Sequence, residues 1–107
     1  LIKGRVQRLV SDSSEYKIPN IGWNLVEKEK NCKLFPNRRK QSEDFYHVHS
    51  YYAVCDNPSD VAGTIEFSGN KLCVAVEREN IMGVQFHPEK SQDNGLNLLN
   101  NAVAAFK

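Results

Sequence analysis

Apolar and polar residues alternate along Arg5-Val6-Gln7-Arg8-Leu9-Val10, the period-two pattern of a strand with one face in water, and Ser11-Asp12-Ser13-Ser14 closes it. Ile18-Pro19-Asn20-Ile21-Gly22-Trp23-Asn24 combines a proline, a glycine and the single tryptophan, which suits a shaped turn entering a strand. Glu27 to Lys40 is dense in charge and broken by Leu34-Phe35-Pro36, so it reads as an exposed connection. Phe45 to Cys55 is aromatic and β-rich and reads as one interior strand ended by Asp56-Asn57-Pro58, with His47, His49 and Tyr51 on one face and Tyr46, Val48 and Ser50 on the other. Thr64 to Phe67 and Leu72 to Val76, joined through Ser68-Gly69-Asn70, read as a hairpin, and Arg78-Glu79-Asn80 turns the chain into a further strand, Ile81 to Phe86. Past that strand the period changes. Leu96, Leu99, Val103 and Phe106 recur at three and four residues, an apolar helical stripe for packing on a sheet, with Ser91 or Asp93 as the cap.

Composition adds bounds to this β-rich pattern. The chain has 107 residues, 40% hydrophobic and 25% charged, enough for one globular domain and too short for two ordinary ones. A formal net charge of +1 gives no overall drive toward nucleic acid or an anionic membrane. The basic run between Lys28 and Lys40 reads as a solvated face, although Phe35 could stack on a base. No apolar run approaches a bilayer span and no signal peptide is visible, so no membrane partner and a cytoplasmic location are expected. Cys32, Cys55 and Cys73 are an odd number at wide spacings, fitting reduced thiols and neither a disulfide framework nor a paired metal site.

Candidate chemistry concentrates where the last strand stops. His87 follows Phe86, and Pro88 ends the ladder because its φ is fixed and it has no N–H. In an extended segment His87 and Glu89 point the same way, so Glu89 can accept from one ring nitrogen and leave the other as a base, two thirds of a nucleophile, base and orienter triad. The bland alternative is a surface histidine at a strand end. His47 and His49 are two residues apart on a strand and could hold a metal, but no third ligand is evident and no metal or cofactor is expected. Trp23, taken alone, reads as a core filler.

The nonapeptide Gly83 to Ser91 resembles the closing motif of the class I glutamine amidotransferases, which hydrolyse glutamine with a Cys-His-Glu triad and pass on the ammonia. Leu1 to Val6, Ile18 to Asn24, Tyr46 to Tyr52 and Gly95 to Leu99 extend the likeness, in order, along nearly the whole chain. The Gly-Trp-Asn and His-Ser-Tyr-Tyr pieces resemble the branch whose ammonia goes to a cyclase (synthase) subunit that makes imidazole glycerol phosphate in histidine biosynthesis.

The resemblance implies an α/β fold in which residues 1–107 are the C-terminal half of a doubly wound domain, mainly antiparallel or mixed strands with a C-terminal helix. It implies His87 as general base and acid, Glu89 as its orienting carboxylate, and His49, Ser50 and Tyr51 along the glutamine pocket through backbone groups. Trp23, Asn24, Tyr46 and Lys90 would lie on the face that docks the synthase subunit. The family has a histidine where this chain has Asn20. Its nucleophile, a cysteine on a Gly-x-Cys-x-Gly elbow, falls before the region aligned with Leu1, so the chain is expected to need the missing N-terminal half and to be inactive alone. Three alternatives remain open at this point: an amidotransferase serving amidino-sugar synthesis for surface polysaccharides, a pseudo-amidotransferase fragment, and a small metal-binding β protein using His47, His49 and His87.

Overall fold

The computed structural model describes residues 1–12, 14–36 and 42–106. Among them are seven strands, β1 (Gly4–Arg8), β2 (Asn20–Lys28), β3 (Ser42–His49), β4 (Tyr51–Cys55), β5 (Val61–Phe67), β6 (Asn70–Arg78) and β7 (Ile81–Val84), and one α-helix, α1 (Gln92–Ala104). The sheet order is β1-β4-β6-β5-β2-β3, with β7 also on β6. Every ladder between these strands is antiparallel.

The expected single strand from Phe45 to Cys55 is two strands. Ser50 breaks it: β3 pairs with β2, whereas β4 pairs with β1 and β6, several strands away in the sheet. Only one residue separates β3 from β4, so the two sheet ends are forced together and the sheet must coil. The Leu9 N–H seals that meeting by donating to Ser50 O at 2.8 Å. The break also divides the face assigned to His47, His49 and Tyr51, since both histidines are buried and Tyr51 is exposed.

Inside the coil lies one apolar cluster that includes Leu9, Val26, Phe45, Ile65, Phe67, Val74 and Phe86. Alternation along β2 and β3 sends Val26, Phe45, His47 and His49 inward. The hairpin of β5 and β6 turns through Ser68 and Gly69, which have φ of 51° and 80°; glycine carries such positive φ without a Cβ clash.

Two expectations about packing are corrected. Leu34 and Phe35 are not an exposed connection but part of the core, because the buried Glu77 carboxylate accepts from the Lys33 and Leu34 backbone N–H groups at 2.9 Å each and pins the loop inward. The Lys28 ammonium, paired with the partly buried Glu43, lies 5.5 Å from the ring centre of the buried Phe35, so that ring is not available for stacking on a base. Residues 37–40 of the charged segment lie outside the described residues. On α1 the residues Leu96, Leu99 and Val103 face outward, as does Phe106 just past its end, and the helix packs instead through Gly95, Leu98 and Ala102. Gly95 allows close approach: a Cβ there would stand 1.8 Å from the Pro88 carbonyl oxygen.

Candidate active site

β7 runs along β6, and the Gln85 N–H extends that pairing by donating to Val74 O at 2.7 Å. Phe86 then drops into the core, stacked on Phe45 at 4.2 Å between ring centres and 5.4 Å from the His47 ring. His87 crosses to the outer edge of β3, where its N–H donates to Tyr46 O at 2.9 Å. The motif is thus a strap from β6 to β3 across the coiled sheet. Pro88 to Lys90 form a 3₁₀ turn, not the extended segment expected from the proline, closed by Lys90 N–H to His87 O and Ser91 N–H to Pro88 O, each 3.0 Å.

The turn brings His87 and Glu89 together all the same. The Nδ1–H of His87 donates to Glu89 Oε2 at 3.0 Å, which fixes the neutral ring as the tautomer with its lone pair on Nε2. The imidazole is half-buried and the carboxylate exposed. The backbone N–H of Glu89 and the His87 ring beside it hold the Glu89 carboxyl below the usual carboxylate range. Such a pair can take a proton at Nε2 and stabilise the resulting imidazolium, which is the work of a base with its orienting acid.

Neither neighbouring histidine offers an open ring. His47 is fully buried; its Nδ1–H donates to Phe45 O at 2.9 Å and its Nε2 has no partner. Desolvation lowers its pKa to about 4, so it is neutral at pH 7. The Nδ1–H of His49 donates to Tyr51 O at 2.9 Å, and its Nε2 accepts from the Asn20 amide at 3.0 Å. Burial lowers its pKa as well. Asn20, opposite His49 on β2, therefore has a visible task in this chain: it satisfies a buried imidazole. Among the described residues no group of three or more His, Cys, Asp or Glu side chains is placed to hold a metal ion.

The cysteines lie apart from this pair. Cys73 is buried in β6 and donates to Ala75 O at 3.4 Å; burial and the neighbouring Cys55 push it up to about 12. Burial also raises Cys32 and Cys55. Thiols so held stay protonated and are poor nucleophiles at neutral pH.

Beside the strap, Trp23 and Tyr46 oppose each other on β2 and β3, edge to face at 6.0 Å. Trp23 is 48% exposed, so its isolated reading as a core filler is corrected. Ile21, Leu25 and Val48 join it as exposed apolar side chains, a patch foreshadowed by the period-two spacing of Ile21, Trp23 and Leu25. Asn24 does not share this face. It turns toward the other side of β2, its amide donating to Asn20 Oδ1 and Gly22 O at 3.4 Å each. Lys90 is exposed on the 3₁₀ turn. A cleft of about 500 Å³, lined by Trp23, Asp44, Ser91, Gln92, Asp93 and Asn94, separates the patch from the start of α1.

Residues 4–105 match the family of class I glutamine amidotransferases. The chain belongs to this family. Its relatives include a Chlorobaculum tepidum protein, 48% identical over 101 residues that make up 94% of this chain and 49% of that protein. A Pyrococcus furiosus protein is 46% identical, with 94% and 50% covered. Both are named imidazole glycerol phosphate synthase subunit HisH. The chain spans about half the length of the curated relatives it matches. A solved structure from Thermoplasma acidophilum, described as that of a candidate GMP synthase component, superposes with a TM-score of 0.69 at 17% identity, covering 95% of this chain and 48% of that one. That likeness concerns the fold alone, a coiled antiparallel sheet with a final helix.

Proposed function

We propose that this chain supplies the base and its orienting acid to a glutaminase that releases ammonia from glutamine for a cyclase subunit making imidazole glycerol phosphate in histidine biosynthesis. The observation that carries the reading is the His87–Glu89 contact, 3.0 Å at Nδ1, which leaves the ring's lone pair on Nε2. In a family that uses a Cys-His-Glu triad, Nε2 takes the thiol proton of a cysteine, the thiolate attacks the side-chain amide carbonyl of glutamine, and the imidazolium returns the proton to the departing ammonia. Water then cleaves the glutamyl thioester to glutamate, with His87 again accepting the proton. Glu89 holds the ring in the tautomer that both half-reactions need.

The nucleophile in this reading comes from outside these 107 residues, since burial raises Cys32, Cys55 and Cys73 and so keeps their thiols protonated. The chain is then the C-terminal part of one domain and has no glutaminase activity alone. Trp23, Tyr46 and Lys90, with Ile21, Leu25 and Val48, form the face on which the cyclase subunit docks; Asn24 supports it from behind through Asn20 and Gly22 O. The segment from His49 to Tyr51 borders the glutamine pocket, kept in place by the His49 bonds to Asn20 and Tyr51 O. The subunit name of the HisH relatives supports this choice of ammonia acceptor.

The test is isotopic. The full-length protein carrying this chain is mixed with the cyclase subunit, its ribonucleotide substrate and glutamine labelled at the amide nitrogen. The label is expected in imidazole glycerol phosphate, and Trp23→Ala should weaken assembly with the cyclase about tenfold or more. Labelled ammonia released without incorporation would overturn the assignment of the acceptor, and absence of glutamine cleavage would overturn the glutaminase itself.

A further inference from the structure

Ser91 stands at the start of α1, where a serine ordinarily caps the helix through its hydroxyl. It makes no such side-chain bond here. Instead Oγ donates to His87 O at 2.6 Å and accepts from the Tyr46 N–H at 2.9 Å. The side chain is almost wholly enclosed, 1% exposed. Together with His87 N–H to Tyr46 O, these bonds close a ring in which both backbone polar groups of Tyr46 and both of His87 are held by the strap. The helix holds Ser91 in turn: Gly95 N–H donates to Ser91 O at 3.1 Å, and Asn94 Nδ2–H donates to Asp44 O at 2.9 Å, one turn from the same edge of β3.

We propose that Ser91 is a positioning residue for His87: its hydroxyl staples the base's own carbonyl to β3 and so fixes where the imidazole presents Nε2. The inference rests on the reading of His87 as the catalytic base. Ser91 touches neither substrate nor the reacting atoms, and it works through His87. A hydroxyl is required because one atom must donate to a carbonyl and accept from an N–H at the same time, which neither a methyl nor a carboxylate does. Without Oγ, His87 O keeps its bond from Lys90 N–H, so the 3₁₀ turn survives while its attachment to β3 is halved. The ring then moves with the turn.

The full-length protein that carries the chain serves in the test, with Ser91→Ala, Ser91→Thr and His87→Ala. In the full-length protein Ser91→Ala lowers kcat for glutamate release about ten- to a hundredfold while KM stays within about threefold, the signature of a displaced base. Ser91→Thr, which keeps the hydroxyl, recovers most of that loss. In the same protein, Ser91→Ala speeds amide exchange at Tyr46 and moves the Glu89 carboxyl titration upward as the His87 contact loosens, while amides in the β5–β6 hairpin keep their protection. Should Ser91→Ala not fold, Ser91→Cys fills the same space with a weaker donor and carries the same readouts. An unchanged kcat in Ser91→Ala beside an inactive His87→Ala overturns the positioning role and leaves the base assignment standing. Full activity in His87→Ala overturns the base assignment itself. A fallen kcat with unmoved Tyr46 exchange and Glu89 titration shows a route other than the staple and also overturns the inference.

Discussion

His47 makes the interior of the sheet sensitive to acid. Its ring is fully enclosed, Nδ1–H is spent on Phe45 O, and Nε2 faces no donor or acceptor. Protonation would place an uncompensated charge among Phe86, His49 and the core, which is why the pKa falls from 6.5 to about 4. The sign follows from proton counting. The unfolded ring takes up a proton as pH falls through 6.5 and the folded ring does not until about 4, so the unfolded state binds more protons in that window and stability drops with falling pH. At about 1.4 kcal/mol per unit, the loss across the window comes to about 3 kcal/mol, with none above pH 7 and no further loss from this group below about 4. Replacing His47 by Phe removes the titration and keeps an aromatic ring against Phe86. At neutral pH the lost bond to Phe45 O and the removed unpaired Nε2 oppose each other at about 1 kcal/mol each, so the two proteins start close together. Urea unfolding of both between pH 7.5 and pH 4 measures the outcome. Groups distant from His47 behave alike in both proteins and cancel in the difference, which should grow by about 3 kcal/mol in favour of His47→Phe. Parallel curves over the whole range would refute the assignment of His47 as a buried neutral ring.

Other consequences can be checked singly. His87→Ala raises the Glu89 carboxyl pKa toward its ordinary value by removing the second largest of the influences that lower it, after the Glu89 backbone N–H; in the parent, the folded state gains from this carboxylate above the unfolded pKa and loses that gain as pH falls through the folded one, and carbon-detected titration reads the shift. Gly95→Ala places a methyl against the Pro88 carbonyl and should lower stability by about 2 kcal/mol or more, with chemical-shift changes centred on the strap, as read by unfolding and by NMR. Glu43→Ala leaves Lys28 charged in the interior and should cost about 3 kcal/mol, whereas Lys28→Met with Glu43→Leu should restore most of it, as read by urea unfolding. Cys73 should resist alkylation in the folded chain and react on unfolding, because its thiol is both enclosed and held at about 12.

The parts of this fold that were legible in the sequence are those set by local pattern. The β5–β6 hairpin was visible because Gly69 tolerates the positive φ of the turn, and β7 because a short apolar run ends just before a proline. The break at Ser50 was not legible, since nothing in Phe45 to Cys55 departs from strand composition; it is imposed by pairing with β2 on one side and with β1 and β6 on the other. The helix face was misjudged for a related reason. Leu96, Leu99, Val103 and Phe106 form the longer apolar stripe, but the small residues Gly95 and Ala102 flanking Leu98 let the backbone approach the strap, and close approach decided which side went in. At the candidate site the spacing of His87 and Glu89 foretold their contact but not the 3₁₀ turn that makes it. The buried carboxylate of Glu77, which draws Leu34 and Phe35 inward, acts from 43 residues away for Leu34 and leaves no local trace.

The central claim, that His87 and Glu89 form a base with its orienter, is tested most directly by the tautomer of one ring. Nitrogen-15 NMR of the chain, taken at a pH where the imidazole is neutral, separates protonated from unprotonated ring nitrogens. The account predicts that His87 carries its proton on Nδ1, with Nε2 showing the shift of a bare lone pair, and that Glu89→Ala returns the ring toward the Nε2–H form preferred by free imidazole. A His87 that is already Nε2–H in the parent, or one that is indifferent to Glu89→Ala, would contradict it.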